Sequence, residues 1–106
     1  MSNYHNGIQI FKALSDNNRL TILEYLKNGE TCACVLIEEL GIAQSALSYH
    51  MKILCQSGLV RSRQEGKWKH YSLSAAAGQE AVNLLNDILS LHGHSSNNCE
   101  CRQKSS

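Results

Sequence analysis

Two helical patterns separated by a glycine turn and followed by a β-hairpin pattern constrain the fold of this chain more than any other feature. Residues 33 to 40 predict a short helix that stops at Gly41, and residues 44 to 56 predict a longer helix. The β-forming residues of 59 to 63 and 68 to 73 then flank a glycine-containing turn. Together these patterns predict a helix-turn-helix with the hairpin as a wing.

Helical spacing accounts for most of the remaining chain. Residues 3 to 14 predict a first helix, and Ser15-Asp16 offers N-cap oxygens for a second helix that ends at Asn28-Gly29. Residues 74 to about 91 predict a last helix. The predicted fold is therefore mainly α with a β-hairpin wing.

Length and charge limit what such a fold does. The 106 residues fit one domain, assigned to residues 1 to 92 and followed by a polar, flexible tail over 93 to 106. A domain of this size is a natural candidate for a dimer. The net charge is only +1, yet residues 49 to 73 carry five Lys or Arg side chains against Glu65 alone. This concentration of positive charge predicts contact with phosphates.

The redox state expected for the cysteines depends on the cellular compartment of the protein. No apolar run is long enough to cross a membrane, and residues 1 to 7 lack the pattern of a secretory signal. We therefore expect a cytoplasmic protein with reduced thiols. The five cysteines include two Cys-x-Cys pairs, so thiols that bind a ligand are favoured over a disulfide framework.

The longer helix of the pair carries a polar face suited to DNA. Leu47, Met51 and Leu54 fall at core spacing, while hydroxyl, phenol and amine groups occupy another face, where they are placed to meet base edges and phosphates. The alternative is the solvated face of an ordinary helix. The predicted DNA contacts on this helix and on the wing are Gln44, Ser45, Ser48, Tyr49, His50, Lys52, Arg61, Arg63, Lys67 and Lys69. For His50, a phosphate contact and a structural histidine with satisfied hydrogen bonds are equally good interpretations.

Cys32 and Cys34 are the candidate ligands for an ion. Thiolates select soft ions such as Zn(II), Cd(II), Pb(II), Cu(I) and trivalent arsenic or antimony. Residues i and i+2 of a regular helix point to nearly opposite faces, so the pair chelates one ion only if the helix start is not fully helical. The alternative is two small, half-buried hydrophobic side chains.

The remaining cysteines are candidates for completing that site. Cys99 and Cys101 lie in the predicted tail, which could swing in to supply a third or fourth sulfur from either subunit. Their alternative is incidental thiols in a solvated tail. Cys55 ends the longer helix and is interpreted as structural.

Five motifs between residues 8 and 73 are Phe11-Lys-Ala-Leu-Ser-Asp16, Arg19-Leu-Thr-Ile-Leu23, Gln44-Ser-Ala-Leu-Ser-Tyr-His-Met-Lys-Ile-Leu54, Ser57-Gly-Leu-Val-Arg61 and Glu65-Gly-Lys-Trp-Lys-His-Tyr71. Through these motifs the chain resembles the ArsR/SmtB family of metalloregulatory repressors. The resemblance implies a winged-helix homodimer, joined through its first and last helices, that blocks a promoter until an inducer binds. It places Cys32 and Cys34 at the position of the arsenite- and antimonite-responsive branch, and the family's cadmium and lead sensors also use thiols there.

The chain departs from the family pattern at three places. Ile37 stands where arsenic sensors of this branch commonly have a third cysteine. The third sulfur is then expected from the tail pair in preference to Cys55, or the site is two-coordinate and suits an organoarsenical. Asn17 stands where proline is usual, and the zinc-sensing pattern is missing after Asp87.

The sequence thus predicts a DNA-binding repressor, not an enzyme, that leaves its operator when trivalent arsenic or antimony binds Cys32 and Cys34. One alternative inducer is Cd(II) or Pb(II), and another is thiol oxidation or persulfide formation. A thiol oxidoreductase or metal buffer is a rival of a different class. It has little support, because the chain has no Cys-x-x-Cys and a buffer needs no DNA-reading face.

Overall fold

The computed structural model describes residues 4 to 90 and shows five helices and three strands in this part of the chain. The predicted boundary at residue 92, the tail and its cysteine pair, Cys99 and Cys101, lie outside the described residues. The elements are α1 (His5–Leu14), α2 (Asn17–Leu26), β1 (Thr31–Cys32), α3 (Ala33–Leu40), α4 (Gln44–Gln56), β2 (Val60–Glu65), β3 (Trp68–Leu73) and α5 (Ala75–Leu89).

The first two helices follow their predicted signals. Helix α1 begins at His5, with Tyr4 as its N-cap, and the first residues of the predicted helix are outside the described range. Asp16 is the N-cap of α2, where its side chain accepts a hydrogen bond of 3.1 Å from the backbone N–H of Arg19. This bond fixes the tight corner between α1 and α2.

The helix-turn-helix has the predicted bounds. Helix α3 ends at Gly41, whose φ of 65° lies in the left-handed region and whose N–H donates to the carbonyl of Ile37. Glycine adopts this conformation without a Cβ clash, so the chain can reverse within a few residues before α4 begins at Gln44. The predicted helix-turn-helix is confirmed.

The wing is an antiparallel hairpin in a three-stranded sheet of order β1-β3-β2. Strand β2 runs from Val60 to Glu65, two residues further than its predicted end, and β3 has its predicted bounds. The short strand β1 was not predicted. It pairs antiparallel with β3 through the partners Thr31 with Tyr71 and Cys32 with His70.

The core lies beneath the helix-turn-helix. Its fully buried large side chains are Ile10 of α1, Ile22 of α2, Leu36 of α3, and Met51 and Leu54 of α4. Burial of each such side chain contributes about 1.5–3 kcal/mol relative to exposure. The core therefore packs α1, α2 and α3 against α4, the second helix of the helix-turn-helix.

Helix α5 packs back on α1. A Cβ added at Gly7 would lie 2.6 Å from Cδ2 of Leu84, so glycine permits this close approach of the two helices. Helix α5 ends at Leu89, close to its predicted end, and leaves much of its apolar surface exposed. Between residues 4 and 90, no helix has the length and hydropathy needed to span a membrane.

Candidate DNA-binding surface and thiol pair

Helix α4 divides into an inner and an outer face. Leu47, Met51 and Leu54 are at most 2 % exposed, as predicted. On the opposite side Ser45, Ser48, Tyr49 and Lys52 are exposed, and Tyr49 is 60 % exposed. Gln44 is exposed at the first residue of the helix. The outer face therefore offers donors and acceptors at a spacing that fits a major groove.

His50 requires a correction, because it lies on the inner face of α4 and is only 8 % exposed. Its Nδ1 is 3.2 Å from Nη1 of Arg19 and 3.8 Å from Oδ2 of Asp16. A side chain held in this way is turned away from the surface that would meet DNA. His50 is therefore an anchor of the reading helix rather than a DNA contact.

Arg19 is a structural residue whose role does not follow from its position in the sequence. Its guanidinium is buried, and its Nε donates to the carbonyl of Ala13 at 2.8 Å, while Nη2 donates to that of Lys12 at 3.3 Å. The same group reaches His50, so it joins the end of α1 to the middle of α4. Buried polar groups are costly unless they are hydrogen-bonded, and here the hydrogen bonds also align the reading helix.

The wing cations fall into two groups. Arg61, Lys67 and Lys69 are exposed. Arg63 instead lies between two carboxylates: its Nε and Nη2 each donate to Glu30 at 2.8 Å, and its Nη1 is 3.1 Å from Glu65. The hydrogen bond to Arg63 lowers the pKa of Glu30, and the same contact raises the pKa of Arg63. The charge of Arg63 is thus already neutralised within the protein.

A cleft of about 390 Å³ separates α4 from the hairpin. It brings together three of the predicted DNA-contacting residues, Ser48, Lys52 and Lys69. Cys55 also lines this cleft, and burial raises the pKa of its thiol despite the nearby positive charge of Lys69. A thiol held in its protonated form is a weak nucleophile and ligand, which agrees with a structural role for Cys55.

Cys32 and Cys34 converge at the start of α3. Cys32 is the N-cap residue, with extended backbone angles (φ −73°, ψ 144°), and its sulfur accepts from the backbone N–H of Cys34 at 3.4 Å. The two sulfurs are 2.9 Å apart, and both thiols are free. The condition that the helix start be non-helical at Cys32 is therefore confirmed.

The chemistry of the pair suits a thiophilic ion. The hydrogen bond from its own thiol to Cys32 raises the pKa of Cys34, because it holds the proton on the Cys34 sulfur. Thiols bind soft ions as thiolates, so an ion bound at this pair would have to displace that proton. Within residues 4 to 90 no group of three or more Cys, His, Asp or Glu side chains is placed to hold a metal ion. The described residues thus bring two sulfurs together, without a third side chain of these types beside them.

The thiol pair also lies where two DNA-reading elements meet. Cys32 caps α3, the first helix of the helix-turn-helix, and it is also a residue of β1, which pairs with the wing strand β3. A change in the backbone at Cys32 therefore acts on the helix pair and on the wing together.

A winged helix-turn-helix with an exposed polar reading helix and a basic wing defines a DNA-binding transcriptional regulator. Residues 16 to 62 match the family model described as the bacterial regulatory protein, arsR family. The chain is 40% identical over 93 residues to the arsenical resistance operon repressor of Staphylococcus aureus, covering 88% of this chain and 86% of that repressor. The chain belongs to the arsR family of transcriptional regulators.

Solved structures share the fold of this chain. HlyU from Vibrio cholerae superposes with a TM-score of 0.67 at 32% sequence identity, over 83% of this chain and 96% of that chain. A winged helix-turn-helix domain from Mycobacterium bovis, described as homodimeric, superposes with a TM-score of 0.65 at 23% identity, over 90% of this chain and 97% of that chain. At this identity the second likeness shows the fold alone.

Proposed function

We propose that the protein is a cytoplasmic transcriptional repressor that leaves its operator when trivalent arsenic or antimony binds Cys32 and Cys34. The observation that carries the proposal is the convergence of the two sulfurs, 2.9 Å apart, at the N-cap of α3. Three-coordinate binding by thiolates needs a further sulfur, which we assign to Cys99 or Cys101. The likeness to arsenical resistance repressors supports this choice of inducer.

DNA is contacted by the outer face of α4 and by the wing. Ser45, Ser48 and Tyr49 meet base edges in the major groove, while Gln44 and Lys52 contact base or phosphate. On the wing the phosphate contacts are Arg61, Lys67 and Lys69, which are exposed. Arg63 contributes less to DNA binding than predicted, because Glu30 and Glu65 already hold its guanidinium.

The repressor acts as a homodimer joined through α1 and α5. The exposed apolar side chains of these helices would be buried by a second copy, and a dimer places two reading helices on one operator. The Mycobacterium bovis domain of the same fold is described as homodimeric, which agrees with assembly as a pair. The side chains that form this surface are Ile8, Val82, Leu85, Ile88 and Leu89.

The test is DNA release by arsenite. Reduced protein is first used to select a tight-binding duplex from a random pool. Complexes of that duplex with wild type, Cys32→Ser/Cys34→Ser and Cys99→Ser/Cys101→Ser are then titrated with arsenite, and the fraction of bound DNA is measured. We expect arsenite to release wild type and neither double variant. Release that persists in the tail variant would restrict the site to the first pair and Cys55.

Two rival inducers are separated by the same titration. Release by Cd(II) or Pb(II) in place of arsenite would keep the repressor and replace its inducer. A redox or persulfide switch is instead reversed by a reductant that contains no thiol, because reduction restores the free thiols, whereas an added thiol would also compete for a bound ion. If neither ions nor oxidants release the DNA, the proposed function is wrong.

A further inference from the structure

The best-formed polar contact between the thiol-bearing segment and the wing is the ion pair of Glu30 with Arg63. Both carboxylate oxygens of Glu30 accept from the guanidinium at 2.8 Å, so the pair is bidentate. The two residues are 33 positions apart in sequence, and their side chains are 38% and 52% exposed. A bidentate pair has one preferred geometry, unlike a contact between a carboxylate and a lysine.

Glu30 stands two residues before Cys32, and the strand between them is fixed to the wing. Cys32 is paired with His70 of β3, and His70 is paired in turn with Arg63 of β2. These three residues therefore lie in one row across the sheet. If the backbone shifts at Cys32, then Glu30 shifts with it, or the hydrogen bonds between β1 and β3 change, or both occur.

We propose that the Glu30–Arg63 ion pair, together with β1, transmits ion binding at Cys32 and Cys34 to the DNA-contacting wing. The proposal rests on the proposed function, since it assigns the coupling element of that response. Arg63 then acts as a positioning residue for the wing rather than as a phosphate contact. Glu30, two residues before Cys32, is the partner that holds Arg63 to the segment that carries the thiols.

The bonding of Arg63 supports this assignment. Its Nε and Nη2 are used by Glu30 and its Nη1 by Glu65, so a DNA phosphate would have to displace one of two carboxylates. The neighbouring Arg61 is exposed and remains available to DNA. The pairing between β1 and β3 covers only two residues, and the buried anchor of β3, Tyr71, lies in the core. The ion pair is therefore the polar link between Glu30 and the outer part of the wing.

An ion at the two sulfurs acts on this link through the Cys32 backbone. In the described state Cys32 is extended, caps α3 and pairs with β3 at the same time. Bonds from an ion to both sulfurs favour a particular separation and direction of the two side chains. They therefore stabilise backbone conformations of Cys32 that cap α3 or pair with β3 differently from the one described. Since Glu30 is bonded to the wing with fixed geometry, this shift of the backbone changes the orientation of the hairpin.

The test compares two carboxylates that contact the same guanidinium. Glu30→Gln and Glu65→Gln each remove one negative charge beside Arg63, but only Glu30 joins the wing to the thiol segment. Operator affinity is measured for wild type and both variants, with and without saturating arsenite, and arsenite affinity is measured without DNA. The quantity compared is the ratio of operator Kd values with and without arsenite.

We expect Glu30→Gln to lower this ratio about three- to fivefold, the scale that an exposed pair of good geometry contributes. Arsenite affinity without DNA should be unchanged, and Glu65→Gln should keep the wild-type ratio. Equal ratios in wild type and Glu30→Gln would overturn the proposal. So would an equal drop in both variants, because it would trace the effect to charge alone. Failure of arsenite to release wild type would instead refute the proposed function.

Discussion

The reading helix and the wing both face the proposed DNA, but the protein holds them in different ways. Helix α4 is fixed from beneath by buried side chains and by the hydrogen bonds that join Arg19 to His50. The wing has buried anchors only at its base, Val60 and Tyr71, while its outer part is held by the pairing with the two-residue strand β1 and by the exposed ion pair of Arg63 with Glu30. Buried contacts resist local opening, whereas exposed ones give way at little cost. Helix α4 therefore offers a stable surface along its whole length, and the outer part of the wing is the part that a ligand can move most easily.

The largest effect is expected from a substitution among the buried contacts that hold α4. Leu54→Ala removes a fully buried side chain under α4, and it should lower the free energy of unfolding by about 2–5 kcal/mol. Urea denaturation followed by circular dichroism measures the loss. Val35→Ala on α3, where the side chain is 42 % exposed, is the control and should cost far less. Equal losses would mean that α4 is not anchored through its inner face.

The next effect concerns the polar anchor of the same helix. Arg19→Met keeps the length of the side chain and removes its hydrogen bonds to α1 and to His50. Because hydrogen bonds to charged groups are worth about 1.5–3 kcal/mol, stability should fall by that order, and operator affinity should fall with it. His50→Gln retains a side-chain acceptor for Arg19 and should lose less. Full DNA affinity in Arg19→Met would show that the anchor does not align α4.

A smaller effect separates two arginines of the wing. Arg61→Gln should weaken operator binding about fivefold and reduce the magnitude of the salt dependence by about one unit, as expected for a lost phosphate contact. Arg63→Gln should change the salt dependence less, since its charge is already neutralised by Glu30 and Glu65. Binding measured from low to high salt gives both slopes. Equal slopes for the two variants would restore Arg63 as a phosphate contact.

The smallest expected effect is on the pH dependence of stability. The pKa of Glu30 is lowered from its ordinary value of 4.5 by Arg63, so in acid the unfolded chain binds the proton more readily than the folded one. The stabilisation is complete above pH 4.5 and is lost as the pH falls through the lowered pKa. Arg63→Gln should therefore be less stable than wild type at neutral pH, with the difference shrinking below pH 4.5. A difference that grows in acid would contradict this assignment.

Sequence reasoning was most successful where periodic patterns and turn residues determine the structure. The bounds of α3 and α4 follow from Gly41 and from the apolar spacing, and both were predicted. For His50 the burial favours the structural interpretation over the phosphate contact. The sequence contains a signal for this choice, because Leu47, His50, Met51 and Leu54 share one helical face at spacings of i, i+3, i+4 and i+7.

Other features left no signal of their own in the sequence. Strand β1 has two residues, too few for an alternating pattern, and it forms only because β3 lies beside it. The contacts of Arg19 with His50 and of Glu30 with Arg63 join residues more than 30 positions apart. Such pairs depend on tertiary packing. The thiol pair was predicted from its spacing, whereas its location between α3 and the wing required the structure.

The central claim is that ion binding at Cys32 and Cys34 and operator binding oppose each other. The most direct test measures the arsenite affinity of the reduced protein twice, free and saturated with operator duplex. Coupling between two binding sites is reciprocal, so operator should weaken arsenite binding by the same factor by which arsenite weakens operator binding. Equal arsenite affinities in the two states would contradict the account, because an ion that binds both states alike cannot release the DNA.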